Sequence, residues 1–159
     1  MIEFKDPSIL KALEKAVSDT FEGIAFAQIL ETKLIQTPVA RKEGAYCSFI
    51  ELTAPVKLRL FMLMSHDHLI ECFSGVYPDM DLEKVPQEVY DDFVNELTNT
   101  IAGHFMSLVC PEKQDMVIGL PVHPSNADID AGLTPSENTT LVYYLIEEHD
   151  LFVSLMPSE

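Results

Sequence analysis

The sequence predicts an α+β fold in which a helix followed by strands occurs twice, with a mostly antiparallel sheet and two long helices packed on one face. Apolar residues recur at three- and four-residue steps from Asp6 to Ala25, and again from Gln87 to about Val109. Each of these segments is followed by shorter ones rich in β-branched and aromatic residues. Because several consecutive strands are joined by short connections, hairpins and antiparallel pairing are favoured.

The first half of this predicted repeat covers residues 1–75. Its long helix can begin at Asp6, because a carboxylate suits the N-terminal cap of a helix. A short helix is predicted from His66 to Phe73, with Gly75 ending it. Between the two helices we expect three strands, at Phe26–Ile35, Tyr46–Leu52 and Val56–Met64.

The second half covers residues 86–159 and opens with the longer helix, Gln87–Val109. Turn-forming residues fill positions 123–138 and predict a long loop. The tripeptide Glu148–Asp150 predicts the turn of a terminal hairpin. The strands of this half are expected at Met116–Val122, Thr139–Glu147 and Leu151–Met156.

Length and charge limit what the chain can be. Its 159 residues, 47% of them hydrophobic, suffice to bury one core, so we expect a single domain over residues 1–159. Ten Lys and Arg against 26 Asp and Glu give a net charge of −16. That charge disfavours nucleic acid, which is bound by releasing counterions from its phosphates, and it disfavours anionic membrane surfaces. A small molecule, a metal or a protein partner remains.

Segments that would direct the chain to or across a membrane are not evident in the sequence. No apolar run approaches the ~20 residues that cross a bilayer, and the N-terminal residues lack the regions of a signal peptide. Three widely spaced cysteines, Cys47, Cys72 and Cys110, favour reduced thiols over a disulfide framework. We therefore expect a soluble, cytoplasmic protein without membrane insertion.

One face of the second long helix carries an unusual set of residues. Asp92, Glu96, Asn99 and Gly103 follow one another at four- and three-residue steps, so they share a face that Thr100 extends. Asn is a poor residue for a helix interior, and Gly costs on the order of 1 kcal/mol relative to Ala. A carboxylate, a carboxamide and a glycine together can form a contact or reaction surface. Exposed acids on helices are more often only solvated charges, so both interpretations stay open.

This pattern has a counterpart in a known family. Asp92-x3-Glu96-x2-Asn99 on a long helix, with Pro121 standing 22 residues beyond Asn99, resembles the signature of the CheC/CheX/FliY phosphatases of bacterial chemotaxis. The resemblance extends over essentially the whole chain, through its length, its helix–strands repeat and the continuation of the motif to Gly103. Pro121 stands one residue closer to Asn99 than in the usual spacing, which a one-residue change in the intervening loop would explain.

The first long helix carries a degenerate version of the same motif. Ser18 and Glu22 are spaced like the first two positions, but Ala25 stands where the motif requires Asn. Within the family, members with one site are of the CheX type and those with two are of the CheC type. The chain therefore resembles CheX, with a competent site on the second helix alone.

The resemblance implies a function and a set of roles. The implied reaction is hydrolysis of the aspartyl phosphate of a CheY-type response regulator, with Asn99 orienting the attacking water and Glu96 pairing with a lysine of the regulator. Asp92, Thr100 and Gly103 would contact the regulator. No cofactor or metal of the chain's own is implied, because the magnesium ion belongs to the regulator.

Other interpretations are compatible with the same residues. A module of this fold could hold a response regulator, or assemble with flagellar-switch or signalling components, without hydrolysing anything. A dimeric structural protein with unrelated partners is a third possibility. Since CheX-type proteins form homodimers by extending their sheets, we expect a homodimer, with the strands Leu141–Ile146 and Leu151–Leu155 as the edge.

Two further groups of residues could be taken for metal ligands. His66 and His68 flank Asp67, but at the start of a helix their rings should point apart. Asp128 and Asp130 lack the glycine and the terminal glutamate of a calcium loop, so we interpret them as turn and solubility residues.

Overall fold

The computed structural model describes residues 3–54, 57–110 and 115–158, which form an α+β fold. Its helices are α1 (Pro7–Ala25), α2 (His66–Val76), α3 (Gln87–Val109) and α4 (Asn126–Gly132), with a 3-10 turn at Leu82–Lys84. Its strands are β1 (Ile29–Ile35), β2 (Tyr46–Ala54), β3 (Leu58–Met64), β4 (Val117–Ile118), β5 (Thr140–Ile146) and β6 (His149–Pro157).

The six strands form one sheet in the order β1-β5-β6-β3-β2-β4, and all neighbouring pairs are antiparallel. In each half of the chain the last two strands form a hairpin, and the two hairpins meet at the centre through β3 and β6. The first strand of each half pairs with the hairpin of the other half. If each strand of the first half is exchanged with the corresponding strand of the second half, the same strand order results, read from the opposite edge of the sheet. This symmetry confirms the helix–strands repeat.

The two long helices pack on one face of the sheet, which we call the inner face, as predicted. Asp6 caps α1 by accepting the backbone N–H of Ser8 at 2.8 Å. Helix α2 contributes Leu69 and Phe73 to the same core. Fully buried side chains of α1, α3 and the central strands complete it, among them Leu13, Phe21, Ile101, Phe105, Leu60, Tyr144 and Val153.

The opposite, outer face is covered by α4, and here the prediction of a loop over residues 123–138 was wrong. Ser125 and Asp128 form a capping box, in which the Ser125 hydroxyl accepts the N–H of Asp128 and the Asp128 carboxylate accepts the N–H of Ser125. Asp128 also lies 3.4 Å from Arg59 of β3. It is therefore a structural residue of α4 rather than a turn or solubility residue.

Replacing Ser125 with Ala is expected to destabilise the protein by about 1 kcal/mol, because the first turn of α4 loses its cap. The Asp128 carboxylate also loses the hydrogen bond from the Ser125 hydroxyl, the largest cause of its lowered pKa, and keeps its contacts with the Ser125 N–H and Arg59. Denaturant unfolding measures the change. Ser125→Thr retains the hydroxyl and should restore most of the stability; equal stability of all three proteins would contradict the role of the cap.

Several predicted boundaries are shifted in the structure. Phe26 has φ 52° and ends α1 in the left-handed region, so the first strand begins only at Ile29. The short helix continues past Gly75 to Val76. The second strand extends to Ala54, and the third begins at Leu58, while the predicted start at Val56 lies outside the described residues.

The C-terminal part of the chain differs more from the prediction. The strand predicted at Met116–Val122 shrinks to Val117–Ile118, followed by one isolated bridge between Val122 and Phe49. The turn predicted at Glu148–Asp150 begins one residue earlier and ends two residues earlier, because His149 already pairs with Ile146 in β6. Glu147 and Glu148 form the two-residue turn, and Glu147 has φ 53°.

The predicted dimerisation edge was also wrong. Leu141–Ile146 lies in β5 and Leu151–Leu155 in β6, and both strands are paired on both sides within the sheet. An interior strand has no free N–H and C=O groups to offer to a second copy. In the described part of the chain, the edges of the sheet are β1 and β4.

Candidate functional site

The face of α3 singled out in the sequence is open to solvent. Asp92, Glu96 and Thr100 are exposed, while Asn99 and Gly103 are half-buried. The opposite face of the helix is in the core, as predicted, through the buried side chains Val94, Ile101 and Phe105. The 3.6-residue period of the helix thus separates a packing face from a polar face that carries the motif.

The two central side chains of this face are not engaged by any other residue in the part of the chain that the structure describes. Among residues 3–54, 57–110 and 115–158, neither the Asn99 carboxamide nor the Glu96 carboxylate has a hydrogen-bond or ion-pair partner. Thr100 is different, because its hydroxyl donates to the Glu96 backbone carbonyl at 2.8 Å. Asn99 therefore retains donors and an acceptor for an incoming group, and Glu96 retains its charge.

Gly103 lies where α3 passes the short strand β4. A Cβ built on Gly103 would lie 4.0 Å from Ile118 Cδ1, which is an ordinary van der Waals distance. Its backbone has ordinary helical geometry within α3. Neither packing nor backbone conformation within the described chain therefore requires glycine at this position.

Pro121 is half-buried in the segment that follows β4 and runs beside β2. Gly119 donates its N–H to the Glu51 carbonyl at 2.7 Å, and Val122 exchanges backbone hydrogen bonds with Phe49. A Cβ on Gly119 would lie 3.1 Å from the Glu51 carbonyl oxygen, a tight contact that the backbone would have to relieve by a small shift. The proline of the motif is thus held in a fixed segment along the sheet edge.

The degenerate motif on α1 occupies a comparable position on its own helix. Glu22 is exposed, and Ser18 and Ala25 are half-buried. A methyl group cannot orient a water molecule, so Ala25 lacks the chemistry that Asn99 can supply. Phe26, directly after it, is 89% exposed.

Helices α1 and α3 are joined by a polar contact next to both motifs. His104 Nε2 lies 2.9 Å from the Asp19 carboxylate, which Lys15 also approaches at 3.1 Å. The pKa of Asp19 is lowered, mainly by its hydrogen bond from Lys15. His104 therefore helps to hold α3 against α1.

The two histidines at the start of α2 diverge, as predicted. His66 is exposed and stacks on Tyr46, whereas His68 is buried between Phe21 and His149. Burial, followed by the electrostatic effect of the neighbouring His149, lowers the pKa of His68 to about 4. His66 and His68 do not form a joint metal site.

A different cluster of metal-ligating groups was missed by the sequence analysis. Glu71 of α2 lies beside Glu148 and His149 of the β5–β6 hairpin, with one ligand atom from each residue within 4.8 Å of the others. Glu71 and His149 are 78 residues apart in the chain. Only the adjacent pair Glu148-His149 was a local signal in the sequence.

In the described segments, none of the helices combines the length and the apolar character needed to cross a membrane.

No protein-family model matches the chain, and no curated protein is significantly similar to it in sequence.

Solved structures resemble the chain closely in fold, at low sequence identity. A CheC-like superfamily protein from Shewanella sp. PV-4 superposes with a TM-score of 0.71 at 15% identity, over 94% of this chain and 97% of that one. The chemotaxis protein CheX from Vibrio vulnificus gives 0.67 at 15% identity, over 93% and 95%. The CheX–CheY–BeF3–Mg²⁺ complex from Borrelia burgdorferi gives 0.66 at 15% identity, over 95% and 98%. The chain thus has the fold of the CheC-like and CheX chemotaxis proteins along nearly its whole length.

Proposed function

We propose that this chain is a CheX-type phosphatase that hydrolyses the aspartyl phosphate of a CheY-type response regulator in chemotaxis signalling. The observation that carries the proposal is the exposed face of α3, where Glu96 and Asn99 have no partner among the described residues. The shared fold supports it, because one protein of that fold is a CheX seen in complex with CheY, BeF3 and Mg²⁺.

The proposed chemistry depends on Asn99. Hydrolysis of an acyl phosphate requires a water molecule in line with the leaving carboxylate oxygen, and most of the catalysis comes from positioning and charge stabilisation. A carboxamide can hold that water as both donor and acceptor. Because it is neutral, it adds no repulsion beside the dianionic phosphoryl group.

Glu96 and the neighbouring residues have a different part in the proposal. The exposed Glu96 carboxylate pairs with a lysine of the regulator and aligns the complex. Asp92, Thr100 and Gly103 contact the regulator around this ion pair. The regulator itself supplies the magnesium ion. The two proteins meet in the cytoplasm, and the chain acts as a homodimer.

The test is the decay of a phosphorylated CheY-type regulator with Mg²⁺, alone and with the full chain. Accelerated decay, with turnover of excess regulator, is the expected result. As a matched control, Gln36→Ala removes an exposed carboxamide just after β1, on a different element from α3, and should leave the acceleration in place. Binding of the phosphorylated regulator without any change in its decay would instead show a non-catalytic binding module, and absence of both would overturn the proposal.

Gly103→Ala should separate stability from function. Because the added methyl group meets only Ile118 at an ordinary distance, the change should stabilise the fold by roughly 0.5–1 kcal/mol through helix propensity. The same methyl group stands between α3 and the regulator and should reduce the acceleration of decay. Denaturant unfolding and the decay assay measure the two effects. A destabilised variant with full activity would refute both parts of this prediction.

A further inference from the structure

We propose that Glu71, Glu148 and His149 bind one zinc ion, which fastens α2 to the turn between β5 and β6. This site is separate from the face of α3 and does not depend on the proposed phosphatase function. It joins a helix of the first half of the chain to the hairpin of the second half.

The ligand atoms stand close to the spacing that zinc requires. His149 Nε2 lies 2.6 Å from Glu71 Oε2 and 4.0 Å from Glu148 Oε1. Ligand atoms around a tetrahedral zinc ion are about 3.3 Å apart, given bond lengths near 2.0–2.1 Å. Glu71 would move away from His149, and Glu148 towards it, by less than about 1 Å each. Both side chains can do so, since they are 58% and 80% exposed.

The imidazole of His149 is held in place before any ion arrives. Its ring stacks on His68 with the centroids 4.8 Å apart and the planes at 9°, and His68 stacks in turn on Phe21 at 5.1 Å. The His149 side chain is only 13% exposed, and Nε2 faces the carboxylates. A ligand that is already oriented loses little entropy on binding a metal.

The two carboxylates lack a permanent cationic partner among the described residues. Apart from His149, neither Glu71 nor Glu148 has an ion pair or a side-chain hydrogen bond within the described chain. Neighbouring acids are already occupied: Glu147 accepts the N–H of Gln28, and Asp150 accepts the hydroxyl of Tyr143 and lies 3.7 Å from Lys42. A divalent cation would offset the charge that remains on Glu71 and Glu148.

The ligand set selects the kind of metal. One imidazole nitrogen and two carboxylate oxygens match zinc, whereas calcium and magnesium prefer oxygen ligands alone. Water would fill the fourth position, which faces solvent beside the exposed glutamates. Zinc binds Nε2 only when that nitrogen carries no proton.

Calorimetric titration of the metal-free full chain with zinc chloride tests the site, together with thermal unfolding. We expect one ion per chain, and at 100-fold excess over Kd a rise in Tm of about 5–11 °C. His149→Phe preserves the aromatic stack but removes the ligand, so it should abolish the binding. Glu71→Gln and Glu148→Gln should each weaken the affinity by about 10- to 100-fold or more, since even outer partners of a metal site contribute that much.

Two control variants distinguish this site from adventitious zinc. Asp67→Asn removes an exposed acid one turn before Glu71 on the same helix, and His66→Gln removes an exposed histidine nearby. Both should bind zinc as the unaltered chain does. The inference is overturned if the chain binds no zinc at about 100 µM, a concentration at which even a site with a Kd of that order would be half occupied. It is also overturned if His149→Phe binds zinc equally well.

Discussion

Asn99→Ala should leave binding of the phosphorylated regulator intact and reduce the acceleration of its decay by about 100-fold, the cost typical of a misplaced reacting group. The fold should be unaffected, because the Asn99 carboxamide makes no hydrogen bond to any other described residue. What the variant loses is the group that orients the attacking water. Single-turnover decay of the phosphorylated regulator, at saturating amounts of each variant, measures the chemical step separately from binding.

The contrast with Glu96 makes this prediction specific. Glu96→Gln should weaken binding, because the charge that pairs with the regulator is lost, and saturation with the variant should recover much of the rate. Asn99→Ala should not be rescued by saturation. If the two variants behaved alike, losing only affinity, α3 would be a docking surface and the water would be positioned elsewhere.

Long, strongly periodic segments could be predicted from the sequence with accurate bounds. The predicted range Gln87–Val109 is that of α3, because its apolar stripe continues over 23 residues and its polar face is distinct. The candidate site was predictable for the same reason, since the spacing of residues on one helix determines which of them share a face. How far Asn99 and Gly103 are buried depends on neighbouring elements and required the structure.

Short elements and long-range pairing were harder to predict. Helix α4 has only seven residues and lacks a long apolar stripe, although Ser125 and Asp128 at capping-box spacing were a usable signal. The central position of β5 and β6 follows from pairing with β1 and β3, which are distant in sequence. Glu71 and His149 meet for the same reason, through packing of α2 against β6.

Helix α4 also leads to the second large expected effect. Phe61→Ala should destabilise the protein by about 3–5 kcal/mol, because it empties a fully packed site. Phe61 points to the outer face of β3 and is completely buried there. Gly132 of α4 lies so close that a Cβ on it would be 2.6 Å from the Phe61 ring. Without α4 on this face, the ring would be partly open to solvent and its loss would cost less.

Guanidinium unfolding of Phe61→Ala and of a matched variant, Phe26→Ala, measures this difference. Phe26 is 89% exposed, so its truncation should change the free energy of unfolding by no more than about 0.5 kcal/mol. The outer face of β3 is covered by α4 and its flanks together with Val39 and Ala45 of the connection between β1 and β2. The difference between the variants therefore reports in large part how firmly residues 126–132 are packed. Similar, small effects of both substitutions would mean that α4 does not cover Phe61 in solution, and that the outer face of the sheet is open.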